Sequence, residues 1–339
     1  MARAGAAPGF VENICPTVRS STTSRGVPRV HVRASSARPH PPATERRYDA
    51  RRLGAFSSQA GLHQRSWTAR LRRALERELF AVHYQPIVSL RDREVAHYEA
   101  LVRLADEPSG ELVSPGQFLP VAERSGLICQ IDRLVLEQVL ALLASAPHPG
   151  LRLAVNLSAR SVTDPGMLRH VERALARNGV EPDRLVFEVT ETDAICDMDR
   201  ARAFCAGVRA LGCEIALDDF GAGFGTFQYL KALPFDYLKI DGSFVRSLPC
   251  SPKDQLVVRV LAGLAAAMGK RTVAEYVRDE PTAALLCRFG IDQAQGFAFG
   301  RPMPAAALLR YETARPPELA RAPELPPAML SAAVGTARA

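Results

Sequence analysis

Short apolar runs alternate with amphipathic segments through the middle of this chain, and this alternation constrains its fold more than any other feature. Eight runs have the length of buried strands: FAVHYQPIVSL, VAHYEALVRL, LRLAVNLS, RLVFEVTET, EIALDDFG, YLKID, RTVAEYV and QAQGFAFGRP. Intervening segments have helical periodicity, such as GMLRHVERALARNG, which ends on Gly179, and DQLVVRVLAGLAAAMG, which opens on Asp254 and ends on Gly269. This order within roughly 240 residues predicts an α/β fold, a TIM-like (β/α)8 barrel.

Polar side chains stand near the ends of these apolar runs. They are Glu99, Asn156, Glu188, Asp218 with Asp219, Lys239 with Asp241, Glu275 and Gln295. In a closed parallel barrel the carboxyl ends of the strands meet on one face, where catalytic loops gather. One polar residue at a strand end is commonly a cap or a turn former, but their recurrence along the chain predicts a functional site.

Carboxylate and amide oxygens dominate this set, and such ligands suit Mg²⁺ or Mn²⁺. The histidines lack the spacing of a zinc site. Adjacent Asp218 and Asp219 would repel by roughly 4 kcal/mol at about 4 Å and an effective dielectric near 20 unless a cation lay between them. Strict side-chain alternation lapses where a strand ends, so both could reach a shared pair of ions. We therefore expect two divalent ions, the usual clamp for displacement at phosphorus.

Lys239 and a glycine-rich loop add weaker signals. The chain has only four lysines beside thirty-nine arginines, so a lysine at a barrel mouth indicates a point charge on water or phosphate, although a plain surface charge is the alternative. Gly221, Gly223 and Gly225 allow close approach by a phosphate or a partner backbone, or simply a flexible loop.

The net charge of +7 is concentrated at the amino-terminal end. Residues 1–70 contain twelve arginines and three acids, which exceeds the whole net charge. Their Arg, Ser and Pro content predicts a disordered leader, and residues 313–339 read as a Pro- and Ala-rich tail, so the barrel is expected over 71–312. An arginine arm that binds nucleic acid is disfavoured, since few aromatic residues accompany those arginines.

Cysteine usage and hydropathy predict a cytoplasmic protein. The seven cysteines are scattered without a C-x-x-C pair, which suits a reducing compartment. No apolar run is long enough to span a bilayer, and residues 1–25 lack the apolar core of a signal peptide.

Seven motifs follow one another over about residues 72–312: YEALVR, NLS, EVTET, DDFGAGF, LKIDGSF, VAEYV and QAQGFAFGRP. In this order and spacing they resemble the motifs of EAL-domain cyclic di-GMP phosphodiesterases. The resemblance implies a barrel with one antiparallel strand and hydrolysis of one phosphodiester bond of cyclic di-GMP to give linear pGpG. The alternative within the family is an inactive receptor for cyclic di-GMP or a protein-interaction module.

The resemblance also implies roles for individual residues. Metal would be held by Glu99, Asn156, Glu188, Asp218, Asp219 and Glu275, while Lys239 would orient or activate water and Gln85, Arg103, Asp241 and Gln295 would bind substrate. Glu191 would anchor the glycine-rich loop, which in the family couples dimerisation to metal binding, so a homodimer is expected. An unidentified regulatory protein is a further candidate partner.

Two residues depart from the family pattern A-E-G-V-E. Tyr276 replaces a glycine and Arg278 replaces a glutamate, while Glu275 is retained. A tyrosine at this position could crowd the adjoining loop or stack on guanine. Loss of the second acid could alter the positioning of groups beside the reacting water.

Overall fold

The structure, a computed structural model, describes residues 64–107, 109–146, 148–190, 197–221 and 226–314, with the side chains of residues 226–228 left undescribed. Glu191, Gly223 and Gly225 lie outside this part of the chain, as do the predicted leader up to residue 63 and the predicted tail from residue 315. The proposed domain boundaries therefore stay predictions.

Eight strands close into a barrel, and two short strands extend the sheet. The barrel strands are β1 (Phe80–Ser89), β2 (Val95–Ala105), β4 (Leu153–Leu157), β5 (Leu185–Thr190), β6 (Glu214–Phe220), β7 (Tyr237–Ile240), β8 (Arg271–Ala274) and β9 (Gln293–Gln295), and the short ones are β3 (Leu112–Val113) and β10 (Met303–Pro304). β1 runs antiparallel to β2 and to β9, whereas the other barrel pairs are parallel. The predicted TIM-like barrel with one antiparallel strand is confirmed.

Helices cover the outside of the barrel. They are α1 (residues 64–76), α2 (Pro115–Ser125), α3 (Ile128–Ser145), α4 (Ala159–Val162), α5 (Met167–Asn178), α6 (Met198–Leu211), α7 (Thr226–Ala232), α8 (Gly242–Arg246), α9 (Pro252–Ala267), α10 (Glu280–Arg288) and α11 (Ala305–Ala314), with a 3-10 turn at Pro182–Arg184. Among the residues described, no helix is long and apolar enough to cross a membrane.

Capping explains where two of the predicted helices begin or end. α5 ends before Gly179, whose φ of 61° is the left-handed conformation that glycine adopts at little cost. α9 begins two residues before the predicted Asp254, because the Ser251 side chain accepts a hydrogen bond from the Asp254 backbone N–H and Pro252 fits the first turn. It ends at Ala267, two residues before Gly269.

The barrel interior has an apolar middle layer. Ile87, Ala154, Val186, Ala216, Tyr237 and Val273 form a buried cluster separate from the larger core under the helices. Side chains two residues apart on a strand share a face, so the next inward positions toward the carboxyl ends include Glu188 and Lys239. In the opposite direction they include Glu214 and Arg271. A polar layer therefore lies at each end of the barrel.

Candidate active site

Lys239 is the centre of the carboxyl-end layer. Its ammonium nitrogen lies 2.8 Å from Glu188 Oε2, 2.8 Å from Asp218 Oδ1 and 2.8 Å from Glu275 Oε1, and 4.0 Å from Glu99 Oε2. The lysine side chain is only 1% exposed. We call Glu99, Glu188, Asp218, Asp219, Glu275 and Lys239 the mouth cluster.

A bulge in β6 brings the two adjacent aspartates to the same site. The pairing of β6 with β7 shifts register between Leu217 and Phe220, and Asp219 has a left-handed φ of 54°. This break in alternation allows Asp219 to lie beside Asp218 instead of on the opposite face of the strand. Asp218, Asp219 and Glu275 each offer a carboxylate oxygen within 4.8 Å of the others.

Amide side chains hold Glu99 in place at the edge of the cluster. Asn156 Nδ2 donates to Glu99 Oε1 at 2.7 Å, and Gln295 Nε2 donates to Glu99 Oε2 at 2.5 Å. Gln295 Nε2 also lies 3.3 Å from Gln85 Oε1, and Gln85 Nε2 donates to the Gly300 carbonyl at 3.0 Å. Four of the residues predicted from sequence are thus linked in one network across β1, β2, β4 and β9.

The mouth cluster holds more carboxylates than its surroundings can stabilise in the charged form. Burial, together with the charge of Asp218, raises the pKa of Glu275 to about 8 and that of Asp219 to about 6. Burial also raises the pKa of Glu188 above its usual range. Burial alone would lower the pKa of Lys239, but the carboxylates of Asp218 and Glu188 outweigh it and raise that pKa well above the usual value. One ammonium group therefore cannot balance the five carboxylates around it.

The donor set of the cluster fits a divalent cation. Glu188 Oε1 is buried and has no hydrogen-bond partner among the described residues, although a buried carboxylate oxygen is costly to leave unpaired. The three closely spaced oxygens from Asp218, Asp219 and Glu275 are hard ligands of the type that Mg²⁺ and Mn²⁺ prefer. The acidic cluster can therefore bind a metal ion.

A cavity of about 420 Å³ opens onto this cluster. Its lining combines the acids Glu99, Asp218, Asp219 and Glu275 with Gln85, Gln295, Arg103, Arg278, Tyr276 and Phe297. The predicted substrate residues Gln85, Arg103 and Gln295 thus border the same space as four of the six predicted metal ligands. A space of this size, with apolar and charged walls, is typical of a small-molecule site.

Two placements were not expected from sequence. Asp241, predicted to bind substrate, caps α8 by accepting a hydrogen bond from the Ser243 backbone N–H at 2.9 Å, and it does not line the cavity. Phe297 lines the cavity and is 58% exposed, yet it was not singled out. Its position directly after Gly296, just past the last barrel strand, is the signal that could have identified it.

The opposite end of the barrel carries a second polar group, which we call the floor cluster: Arg152, Glu214, Arg271, Tyr237 and His97. Glu214 lies between two arginines, in contact with Arg152 and with its Oε1 2.6 Å from Arg271 Nη2. The Tyr237 hydroxyl donates to Glu214 Oε2 at 2.9 Å and accepts from Arg152 Nη1 at 3.1 Å. The His97 ring packs on Tyr237 with 5.4 Å between centroids.

A family model and several known proteins match the sequence of this chain. The family model "EAL domain" matches residues 68–302. The bifunctional diguanylate cyclase/cyclic di-GMP phosphodiesterase MucR of Pseudomonas aeruginosa is 40% identical over 242 residues, covering 70% of this chain and 35% of the relative. The cyclic di-GMP phosphodiesterase PdeF of Escherichia coli is 38% identical over 256 residues, covering 75% and 34% respectively. The chain thus spans about a third of the length of these curated relatives.

Two solved structures with bound c-di-GMP are similar to this chain. The PaMucR phosphodiesterase in complex with c-di-GMP is 38% identical and superposes with a TM-score of 0.68, over 72% of this chain and 99% of that one. The FimX EAL domain of Pseudomonas aeruginosa bound to c-di-GMP is 34% identical with a TM-score of 0.66, over 70% of this chain and 96% of that one.

Proposed function

The chain belongs to the EAL domain family, as its motifs indicated, and we propose that it hydrolyses cyclic di-GMP to linear pGpG with the help of two Mg²⁺ or Mn²⁺ ions. Lowering this second messenger would then be its part in bacterial signalling. The observation that carries the proposal is the excess of negative charge at the barrel mouth, where five carboxylates surround a single ammonium group. Four of them are buried or half-buried and Asp219 is exposed, and all except Glu188 border the cavity. Such a site has an unmet demand for cations.

The metal ligands we assign are the residues whose oxygens converge there. Glu99, Asn156, Glu188 and Asp218 would hold one ion, with Asp219 and Glu275 reaching the second. The unpartnered Glu188 Oε1 and the close spacing of Asp218, Asp219 and Glu275 support this assignment. Bound ions would polarise a phosphoryl oxygen and make a bound water more acidic at neutral pH.

Lys239 would act through its charge and its N–H donors. In the metal-free protein the neighbouring carboxylates raise the pKa of Lys239, so its side chain is a charged ammonium group with N–H donors that can be offered to water or to a phosphoryl oxygen. Held by Glu188, Asp218 and Glu275, its nitrogen is fixed in position, so it can orient the attacking water and stabilise negative charge that develops at phosphorus.

The rest of the cavity would hold the dinucleotide. Arg103 and Arg278 line it and can pair with phosphate oxygens, which compensates the negative charge that the substrate brings to an acidic site. Gln85 and Gln295 offer amide groups to a base or a sugar. Asp241, which caps α8, would contribute to binding through the position of that helix.

The deciding experiment is incubation of the purified protein with cyclic di-GMP in Mg²⁺, Mn²⁺, Ca²⁺ or chelator, followed by chromatography for pGpG. We expect product with Mg²⁺ or Mn²⁺ and none with chelator. Ca²⁺, which prefers oxygen distances of about 2.3–2.6 Å instead of about 2.0–2.1 Å, should support binding but not turnover. Tight binding of cyclic di-GMP without product in Mg²⁺ or Mn²⁺ would make the protein a receptor instead of an enzyme.

Oligomeric state and location complete the proposal. We propose a homodimer, in which Glu191 and the glycine-rich loop would link the subunit contact to metal binding. A cytoplasmic location is supported by the cysteines, since Cys129, Cys205, Cys213, Cys250 and Cys287 are all free. Light scattering of the purified protein and cell fractionation test these two points, and a regulatory protein partner can be sought by co-purification.

A further inference from the structure

Tyr276 adopts a backbone conformation that residues with a Cβ rarely take. Its φ is 59°, in the left-handed region, where glycine is favoured and a bulky residue is an outlier. The residue directly follows Glu275 at the end of β8, and 52% of its surface is exposed. A large aromatic side chain held in a strained backbone and left half exposed points to a function for the ring.

The ring is held in place by two residues of α8. Gly242 lies so close that a Cβ added there would be 2.3 Å from Tyr276 Cδ2, so only glycine admits the ring at this position. The guanidinium carbon of Arg246 lies 4.0 Å from the ring centroid and covers one face of the ring. Tyr276 also lines the cavity beside Glu275, Arg278 and Phe297. The aromatic ring is thus backed by a cation and presented at the substrate cavity.

We propose that Tyr276 is a specificity-determining residue that stacks on a purine base of the cyclic dinucleotide, with Arg246 as the positioning residue that holds the ring. This inference rests on the proposed function, because it concerns the substrate of the same cavity. Aromatic side chains stack on bases through their π-faces, and the contact grows with the area of the base, so a purine gains more from it than a pyrimidine.

The test is calorimetric binding in Ca²⁺, which does not require turnover, with cyclic di-GMP and a cyclic di-pyrimidine nucleotide as ligands. Tyr276→Ala and Tyr276→Gly should each weaken cyclic di-GMP binding by about tenfold, the scale of one lost base–aromatic stack. Tyr276→Phe keeps the ring and should bind nearly as the unmodified protein does. Arg246→Met should give a smaller loss, since the ring remains but is no longer held.

Two comparisons separate stacking from a general loss of structure. Tyr311→Ala removes a similarly exposed tyrosine, 49% exposed on α11, and should leave binding unchanged. The cyclic di-pyrimidine should bind the unmodified protein more weakly and lose much less affinity when Tyr276 is removed. In turnover assays, the loss in Tyr276→Ala should fall on KM more than on kcat. Tyr276→Gly relaxes the left-handed backbone, so it remains informative if Tyr276→Ala folds poorly.

Different outcomes overturn different claims. If Tyr276→Gly binds cyclic di-GMP as tightly as the unmodified protein, or more tightly, the stacking role is wrong and the ring only crowds the cavity. If the unmodified protein makes no pGpG but binding still depends on the Tyr276 ring, the enzyme proposal fails while the stacking role stands. If the unmodified protein does not bind cyclic di-GMP at all, both are wrong.

Discussion

The mouth and the floor of this barrel are built on the same strands yet have opposite electrostatic character. At the floor, Glu214 lies between Arg152 and Arg271; burial alone would raise the pKa of Glu214, but its hydrogen bond to Arg271 and the charge of Arg152 lower it. At the mouth, burial and neighbouring carboxylates raise the pKa of Glu275 and Asp219. The floor is complete in the protein alone, whereas the mouth requires additional positive charge.

Backbone strain adds to the contrast. Of the four non-glycine residues with positive φ in the described part of the chain, Glu78 and Arg93 lie in the connections before and after β1, whereas Asp219 and Tyr276, with φ of 54° and 59°, lie at the mouth, each beside a residue of the mouth cluster. Left-handed backbone at such residues costs on the order of 1–3 kcal/mol each and persists where function requires it. The contrast teaches that a polar cluster in a barrel marks a site when its charges are unbalanced and its backbone strained, and not simply because it is polar.

Removing Lys239 should produce the largest effect on turnover. A small effect would contradict the contrast drawn between the mouth and the floor. Lys239→Ala leaves the proposed ligands in place, so cyclic di-GMP should still bind in Ca²⁺, while turnover in Mg²⁺ should fall by about 10²-fold or more, because the lysine acts mainly in the transition state. Lys253→Ala, on the exposed start of α9, is the matched control and should keep full activity. Substantial pGpG production by Lys239→Ala would exclude Lys239 from the chemistry.

Asp219→Asn should separate function from stability at the mouth. Asparagine tolerates left-handed backbone well, so the substitution changes charge and little else. We expect a loss of turnover of about 10²-fold together with a metal-free protein that is more stable by about 1 kcal/mol, after discounting for partial exposure, because a repelled carboxylate has been neutralised. Urea unfolding in chelator measures the second effect, and a destabilised variant would show that the mouth is not overcharged.

Glu214→Gln at the floor should change stability in the opposite direction. Removing this charge leaves Arg152 and Arg271 unpaired and only partly exposed, so the free energy of unfolding should fall by about 2 kcal/mol. The specific activity of the folded fraction should stay within about twofold of the unmodified protein, since no floor residue lines the cavity. A large loss of activity without a loss of stability would place the floor in the catalytic machinery.

Much of the fold and part of the site follow from sequence because they rest on local patterns. The apolar runs identify the eight strands, and the polar residues at their ends identify the site residues around Glu99, Asp218 and Lys239. The antiparallel direction of β1 does not follow, because side-chain alternation is the same in both directions; the family resemblance implies one antiparallel strand, and the structure identifies it as β1. The sequence predicts that side-chain alternation lapses near Asp218 and Asp219, but not the bulge itself. The bulge depends on how β6 pairs with β7, which is a tertiary contact.

The floor cluster was missed for a related reason. Arg152, Glu214 and Arg271 stand at the starts of predicted strands, where charged residues are common on any protein surface. Only barrel closure shows that Glu214 and the two arginines meet. The substrate role of Asp241 is implied by the family resemblance and stays a prediction; locally, D-G-S after a strand fits a helix N-cap, which is the position that Asp241 takes in the structure.

The pH dependence of stability should show the smallest effect and distinguish the two ends in a single protein. At the mouth, Glu275 has a pKa of about 8 in the folded chain against 4.5 ordinarily, so the folded state holds an extra proton and loses stability as pH rises from about 4.5 to about 8. At the floor, burial lowers the pKa of His97 from 6.5 to about 3, so stability is lost as pH falls below about 6.5. Between pH 6.5 and 8 only the mouth contributes, and metal-free protein should lose about 1 kcal/mol as pH rises.

Urea unfolding at several pH values in chelator measures this slope. Glu275→Gln should abolish it, Glu214→Gln should retain it, and saturating Mg²⁺ should flatten or reverse it, because the metal binds deprotonated carboxylates. A metal-free protein whose stability is constant across this window would contradict the overcharged mouth on which the comparison rests.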